Sequence, residues 1–243
     1  MLGAGPAYTN RLGAAGAAYL ITAQGRSLVL DLGQGAFPRL AGELDPADLL
    51  AAVISHLHPD HFIDLIPLRH YLYYECRPGR RVTVLAPAAL ETRVDALMGE
   101  PGFARASLDI RSLSPGTRTI GPFMVEASLV THADESYGFR LATGGGPGLV
   151  YTGDCGRAGD LQGLIQPGDT LLAEVSFGPG PVPDGALHLD ATAVGRLASS
   201  TGAGRVVLTH LQMGFDAHET ERTVRTIFDG DVRFVWPGDR LTV

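Results

Sequence analysis

No lysine occurs in this chain of 243 residues, and all 19 basic side chains are arginine. That absence removes several chemistries together, because a Walker-type phosphate loop, a Schiff base and a pyridoxal phosphate site each need a lysine. Cysteine is scarce: Cys76 and Cys155 stand far apart, so no disulfide framework follows from spacing, and a reducing compartment fits best. Long apolar runs are missing as well. No window approaches the ~20 residues of a membrane-spanning helix, and the first residues lack the charged and apolar regions of a secretory signal. The expected location is cytoplasmic. Positive charge is also in deficit. A net charge of −7 argues against a broad polyanion-binding surface and leaves small anionic substrates open.

What is present describes a compact protein with many turns: 45% hydrophobic residues, 32 Gly and 16 Pro. The length suffices for a full core, and one domain over residues 1–243 is expected. Short aliphatic runs read as strands at Ala18–Ile21, Ser27–Asp31, Ala52–Ser55, Arg81–Ala86, Phe123–Val130, Tyr137–Ala142, Gly148–Thr152, Thr170–Glu174, Arg205–Thr209 and Val232–Trp236. Helices are expected over Phe62–Tyr74, Ala88–Met98, Ala191–Ser199 and His218–Phe228, with Asp190 and Asp216 as candidate N-caps. Strands in runs, with a helix after every two or three, predict two packed sheets with helices outside. The two strand-rich halves are expected to meet near Pro115–Gly121, and Gly144–Gly148 to form a hairpin turn.

The chemistry concentrates at His56-Leu57-His58-Pro59-Asp60-His61, directly after Ala52-Val53-Ile54-Ser55. Imidazole nitrogen and carboxylate oxygen are ligands that zinc accepts. Alternate residues of an extended segment share a face, so His56 and His58 converge on one ion while Asp60 and His61 turn toward another. Pro59 stiffens the turn, and Phe62 is expected to start the helix that anchors it. Three later apolar runs also end on a ligand-type residue: Ser128–Thr131 on His132, Leu149–Gly153 on Asp154, and Val206–Thr209 on His210.

With these residues the chain resembles the metallo-β-lactamase superfamily, over nearly its whole length. The resemblance implies a four-layer αββα sandwich and two divalent metal ions, zinc first and manganese or iron also compatible. It implies that His56, His58 and His132 bind one ion, Asp60, His61 and His210 the second, and that Asp154 bridges them. Tyr137-Gly138-Phe139-Arg140 after His132, and His188 before an alanine-rich helix, resemble the ribonuclease Z and phosphodiesterase branch. Asp190 stands where that branch more usually has Ser or Thr.

Two cations sharing a water lower its pKa and hold phosphoryl oxygens, so the expected reaction is hydrolysis of a phosphodiester. The expected catalytic residues are Asp60, Asp154 and His188, the last protonating the leaving oxygen or holding the phosphate. Ribonuclease Z carries a basic protruding arm for transfer RNA, often between the positions matching His132 and Asp154. Strands and a glycine turn fill that interval here. A small phosphodiester, cyclic nucleotides included, is therefore the leading substrate class, and RNA cleavage is second. A thioesterase or lactonase of the same superfamily is third, and a non-catalytic metal-binding protein stays open. A flavo-diiron oxidoreductase would have glutamate in place of His58 and would need a flavin domain. A homodimer follows from the resemblance alone. Arg140 and Arg157 are open as phosphate contacts, Cys155 reads as a small buried residue, and His70 and His218 as ordinary helix residues. Tyr71, Tyr73 and Tyr74 are open as helix core, dimer contact or base-stacking surface. Arg77, Arg80 and Arg81 form the basic concentration.

Overall fold

The computed structural model describes residues 1–76 and 79–243; Arg77 and Pro78 of the basic turn lie outside the described residues. β1 (Tyr19–Ala23), β2 (Arg26–Leu30), β3 (Ala52–Val53), β4 (Val82–Ala86) and β5 (Leu108–Ser112) make one sheet in that order, an antiparallel hairpin followed by parallel neighbours. β6 (Gly116–Ile120), β7 (Phe123–Leu129), β8 (Tyr137–Ala142), β9 (Leu149–Tyr151), β10 (Thr170–Glu174), β11 (Arg205–Thr209) and β12 (Asp231–Phe234) make the second, antiparallel from β6 to β9 and parallel from β9 to β12.

Strand residues alternate between two cores, as a period of two requires. Leu28, Leu30, Val53, Leu172 and Val207 meet in the layer between the sheets, with Tyr19, Phe123, Phe139 and Tyr151. Val29, Ala52 and Ile54 point outward, where α1 (Phe37–Glu43), α3 (Leu65–Tyr74) and α4 (Leu90–Met98) contribute Leu40, Leu68 and Val94. On the other side, Leu171, Ala173, Val206 and Leu208 pack under α5 (Ala191–Thr201) and α6 (Ala217–Arg225). The layers are therefore αββα. No helix among the described residues is long and apolar enough to cross a membrane.

Asp190 and Asp216 cap α5 and α6, accepting from Ala193 N at 2.8 Å and Glu219 N at 2.7 Å. Gly144–Gly148 joins antiparallel β8 and β9. Other expectations need correction. β5 and β6 were not foreseen because both are edge strands with half-exposed, polar sequences, LDIRS and GTRTI, which carry no apolar run. Since β6 occupies 116–120, the sheets exchange at 113–115, earlier than expected. α1 escaped because it has no local cap: its first amide, Phe37 N, donates to Asp64, 27 residues away, at 2.7 Å. The ladder of β3 ends at Val53, two residues early, and Phe62 does not start the helix after the metal-type loop. It closes the four-residue α2 (Pro59–Phe62), and α3 begins only at Leu65.

Candidate metal centre

After Val53 the chain leaves the sheet while still extended. His58 keeps φ −79° and ψ 143°, and Pro59 then opens α2, its ring suited to the first helical position. Extended backbone up to residue 58 places His56 and His58 together; the helical turn places Asp60 beside His61. Backbone hydrogen bonds suture this loop to the β2 side: Ala17 N to Asp60 O at 2.9 Å, Leu32 N to His61 O at 2.8 Å and Asp64 N to Leu32 O at 3.0 Å. Gly33 sits where a Cβ would lie 1.8 Å from Asp60 O, so only glycine allows that approach. Gly153 turns the chain at the end of β9 with φ +57°, in a space where a Cβ would meet Tyr137 O at 2.7 Å. Asp154 is thereby carried between the sheet edges.

The strand ends bring all seven expected ligand residues to one place. His56, His58, His132 and Asp154 offer donor atoms within 4.8 Å of one another, and so do Asp60, His61 and His210. His58 Nδ1 lies 3.0 Å from His56 Nε2 and 3.1 Å from His132 Nε2; His210 Nε2 lies 3.2 Å from both His61 Nε2 and Asp60 Oδ2. Asp154 divides its carboxylate between the groups. Oδ2 is 3.6 Å from His132 Nε2 and 3.9 Å from His56 Nε2, whereas Oδ1 is 3.4 Å from His61 Nε2 and 3.6 Å from His210 Nε2.

This donor set fits divalent metal. Ligands at 2.0–2.1 Å around a tetrahedral ion stand about 3.3 Å apart, close to the imidazole separations here. Asp154 Oδ1 is buried without a hydrogen-bond donor, a costly state that a cation relieves. The opposite ring nitrogens are already engaged: His61 Nδ1 on Asp31 Oδ2 and His132 Nδ1 on Leu187 O, both at 2.7 Å. That pattern aims Nε2 of each ring into the site.

The electrostatics divide the histidines. Burial, aided by His61, holds His56 well below the usual imidazole range, and burial with His132 lowers His58. For His61, burial opposes protonation but Asp154 and Asp31 outweigh it and raise the pKa well above normal; Asp154 and Asp60 raise His210 in the same way. Burial would also raise Asp60 and Asp154, yet the surrounding imidazoles hold both below the ordinary carboxylate range.

His188, just ahead of α5, reaches the same edge. Its Nδ1 lies 3.0 Å from Glu174 Oε1 and 3.8 Å from Asp154 Oδ2. Burial acts against its charged form, but Glu174 prevails and the pKa is raised.

Two carboxylates of the site went unrecognised in the sequence. Asp31 is fully buried and accepts from Ser55 N at 2.6 Å and from Ser55 Oγ and Tyr151 OH at 2.7 Å. It also adopts φ +55°, as His210 does at +57°, a left-handed backbone that costs energy outside glycine. Glu174 accepts from Cys155 N at 2.8 Å. Both residues end apolar strands, the same signal that singled out His132, Asp154 and His210.

The remaining candidates fall elsewhere. The Arg140 guanidinium is committed to Asp169, at 2.7 and 3.0 Å, so it is a structural ion pair and not an available phosphate contact. Arg157 is exposed. Cys155 is buried, and burial pushes its thiol up to about 12. His70 lies on α3 with Nδ1 on Ile66 O, and His218 is exposed on α6. Tyr71 packs against Phe37 at the core margin, while Tyr73 and Tyr74 are exposed and so are not helix core. Arg80 pairs with Asp48 at 2.8 Å, and Arg81 donates to Arg105 O and Leu108 O. A cavity of about 570 Å³ lies away from the cluster, lined by Tyr19, Leu149, Leu172 and Val207 beside residues 238–243.

Residues 29–211 match the family model described as the beta-lactamase superfamily domain. The uncharacterized protein ML1173 of Mycobacterium leprae is 31% identical over 222 residues, covering 89% of this chain and 78% of the relative. The probable metallo-hydrolase YhfI of Bacillus subtilis is 27% identical over 226 residues, 90% of this chain and 91% of its own. The YhfI crystal structure, a metallo-beta-lactamase fold protein, superposes with a TM-score of 0.85 at 24% identity, covering 98% and 96% of the two chains. Human tRNase Z, short form, shares the fold with a TM-score of 0.72 at 20% identity over 97% and 95%, and a diphosphatase of the PhnP family with 0.75 at 16% over 100% and 96%. A motif, its fold and its relatives agree: the chain belongs to the metallo-β-lactamase superfamily, as a metallo-hydrolase with ribonuclease Z-like proteins among its neighbours.

Proposed function

We propose that this protein is a binuclear zinc phosphodiesterase that hydrolyses small phosphodiesters, cyclic nucleotides included. The observation that carries the reading is the division of Asp154, one oxygen toward His56 and His132 and the other toward His61 and His210. A carboxylate placed so would bridge two ions, with His56, His58 and His132 on one and Asp60, His61 and His210 on the other. The chemistry that two divalent cations supply when bound there is a water of lowered pKa and positive charge against the phosphoryl oxygens.

The side chains do the rest. Asp60 is held ionised by His210 and His61, so it can accept a hydrogen bond from the attacking water and fix its direction. His188 is held protonated by Glu174 on Nδ1, which leaves Nε2 to donate to the departing oxygen. A thioester would not need that donor, because its thiolate departs without a proton. We read residues 1–243 as one domain acting in the cytoplasm as a homodimer.

Preference for a small substrate over transfer RNA is supported by residues 133–153, which are taken up by β8, the glycine turn and β9 with no room for an arm. The neighbours point both ways, since one is named a diphosphatase and another a tRNase Z. The test is metal-replete protein assayed against a cyclic nucleotide, a chromogenic phosphodiester and a transfer RNA precursor, beside an Asp154→Ala control. Cleavage of the first two, lost in the control, is expected. Preferential cleavage of the precursor would replace this reading with a ribonuclease Z-like one.

A further inference from the structure

Each sheet contributes a carboxylate and a serine hydroxyl to the metal edge, arranged alike. On the first sheet, Ser55 donates to Asp31 through both N, at 2.6 Å, and Oγ, at 2.7 Å. On the second, Ser176 donates to Glu174 through N, at 3.1 Å, and Oγ, at 2.5 Å. In both pairs the carboxylate takes one imidazole directly, Asp31 with His61 Nδ1 at 2.7 Å and Glu174 with His188 Nδ1 at 3.0 Å. In both, the hydroxyl faces a second imidazole: Ser55 Oγ lies 3.1 Å from His56 Nδ1, and Ser176 Oγ lies 3.1 Å from His210 Nδ1. All four supporting residues are buried.

Counting hydrogens fixes the direction. A serine hydroxyl has one hydrogen, and an ionised carboxylate can only accept, so that hydrogen is spent on Asp31 or Glu174. Toward His56 and His210 each hydroxyl therefore presents lone pairs, and Nδ1 must carry the proton. The lone pair of each ring is then on Nε2, the atom that faces Asp154.

We propose that Ser55 and Ser176 are positioning residues, each fixing the tautomer of one histidine in a different metal group: Ser55 that of His56, and Ser176 that of His210. The assignment rests on the two-ion reading of the site. It predicts a division of labour: loss of Ser176 weakens the ion of the His210 group, and loss of Ser55 acts first on the ion of the His56 group, reaching the other only through the Asp31 oxygen it shares with His61. Supporting partners of this kind typically govern metal affinity by 10- to 100-fold. Ser176 also shares Glu174 with His188, so its loss reaches the proton donor as well.

The test is competition for zinc against a chromogenic chelator, which needs no substrate. In wild-type background, Ser55→Ala and Ser176→Ala should each weaken one ion of two by roughly 10- to 100-fold. In a His58→Ala background, which cripples the first group, Ser176→Ala should weaken the remaining ion by roughly 10- to 100-fold and clearly more than Ser55→Ala does, which reaches it only through Asp31 and His61. Ser176→Thr should restore binding, because it restores the hydroxyl. Protein labelled with ¹⁵N-histidine gives a second readout, the His210 Nδ1–H signal, present in wild type and the threonine variant and lost or shifted in alanine; Ser176→Cys serves if alanine unfolds the chain. Unchanged chelator curves for both alanine variants, or equal weakening of the same ion by both, would overturn the proposal. Wild-type protein that binds zinc as described but cleaves no phosphodiester would remove the functional reading alone.

Discussion

Glu174 holds His188 by a 3.0 Å contact to Nδ1, and the same histidine stands 3.8 Å from Asp154. The ring is outside both imidazole groups yet beside the residue that joins them. His188→Ala should therefore lower kcat by roughly 10²- to 10⁴-fold, the usual contribution of a general acid, while the zinc content per chain stays at the wild-type value. Elemental analysis of the purified variant beside its kinetics decides this, and loss of both metals would mean that His188 is a ligand.

Asp154 faces both groups, whereas His58 faces one. Asp154→Ala should bring zinc from two ions per chain to fewer than one, and His58→Ala should leave close to one, measured after dialysis against metal-free buffer. Equal losses in the two variants would argue against a shared aspartate.

Arg140 and Asp169 form a buried bidentate pair that also receives Gly148 N at 2.7 Å and Gln166 N at 2.9 Å. Burial would raise the Asp169 pKa, but Arg140 and the two amides outweigh it and hold it below the ordinary value. A carboxylate depressed in the folded state stabilises the fold above its unfolded pKa of about 3.9 and loses that contribution as pH falls through the lower folded value. Asp169→Asn should accordingly show a smaller fall in Tm than wild type between about pH 5 and pH 3. At neutral pH, Arg140→Met should cost about 3 kcal/mol in a denaturant titration, because it strands a buried charge.

The thiol of Cys155, raised to about 12 by burial, is almost wholly protonated at pH 8. Iodoacetamide should leave Cys155 unmodified in the native protein and label it only after denaturation, read by peptide mass spectrometry. Prompt native labelling would contradict its burial.

The metal-type loop was legible because its residues are local: four donor side chains lie within His56–His61, and Pro59 marks where the extended backbone turns helical. Strands β8, β10 and β11 were legible at their full lengths because both faces are largely buried, so apolar residues outnumber polar ones in each. The same rule hid β5 and β6, whose outer faces meet solvent. Arg140 was ambiguous in sequence because a guanidinium serves phosphate and carboxylate equally well; only the position of Asp169 distinguishes them.

By itself the sequence offered the candidate donor residues and two packed sheets with helices outside, and its motifs carried the resemblance that implied the family. The tertiary structure alone decided how the site is supported. Asp31 meets Tyr151 across 120 residues, and His210 meets Asp60 across 150. Serine and carboxylate contacts of this kind have no period and no composition, because hydrogen bonds depend on distances that exist only once the two sheets have packed.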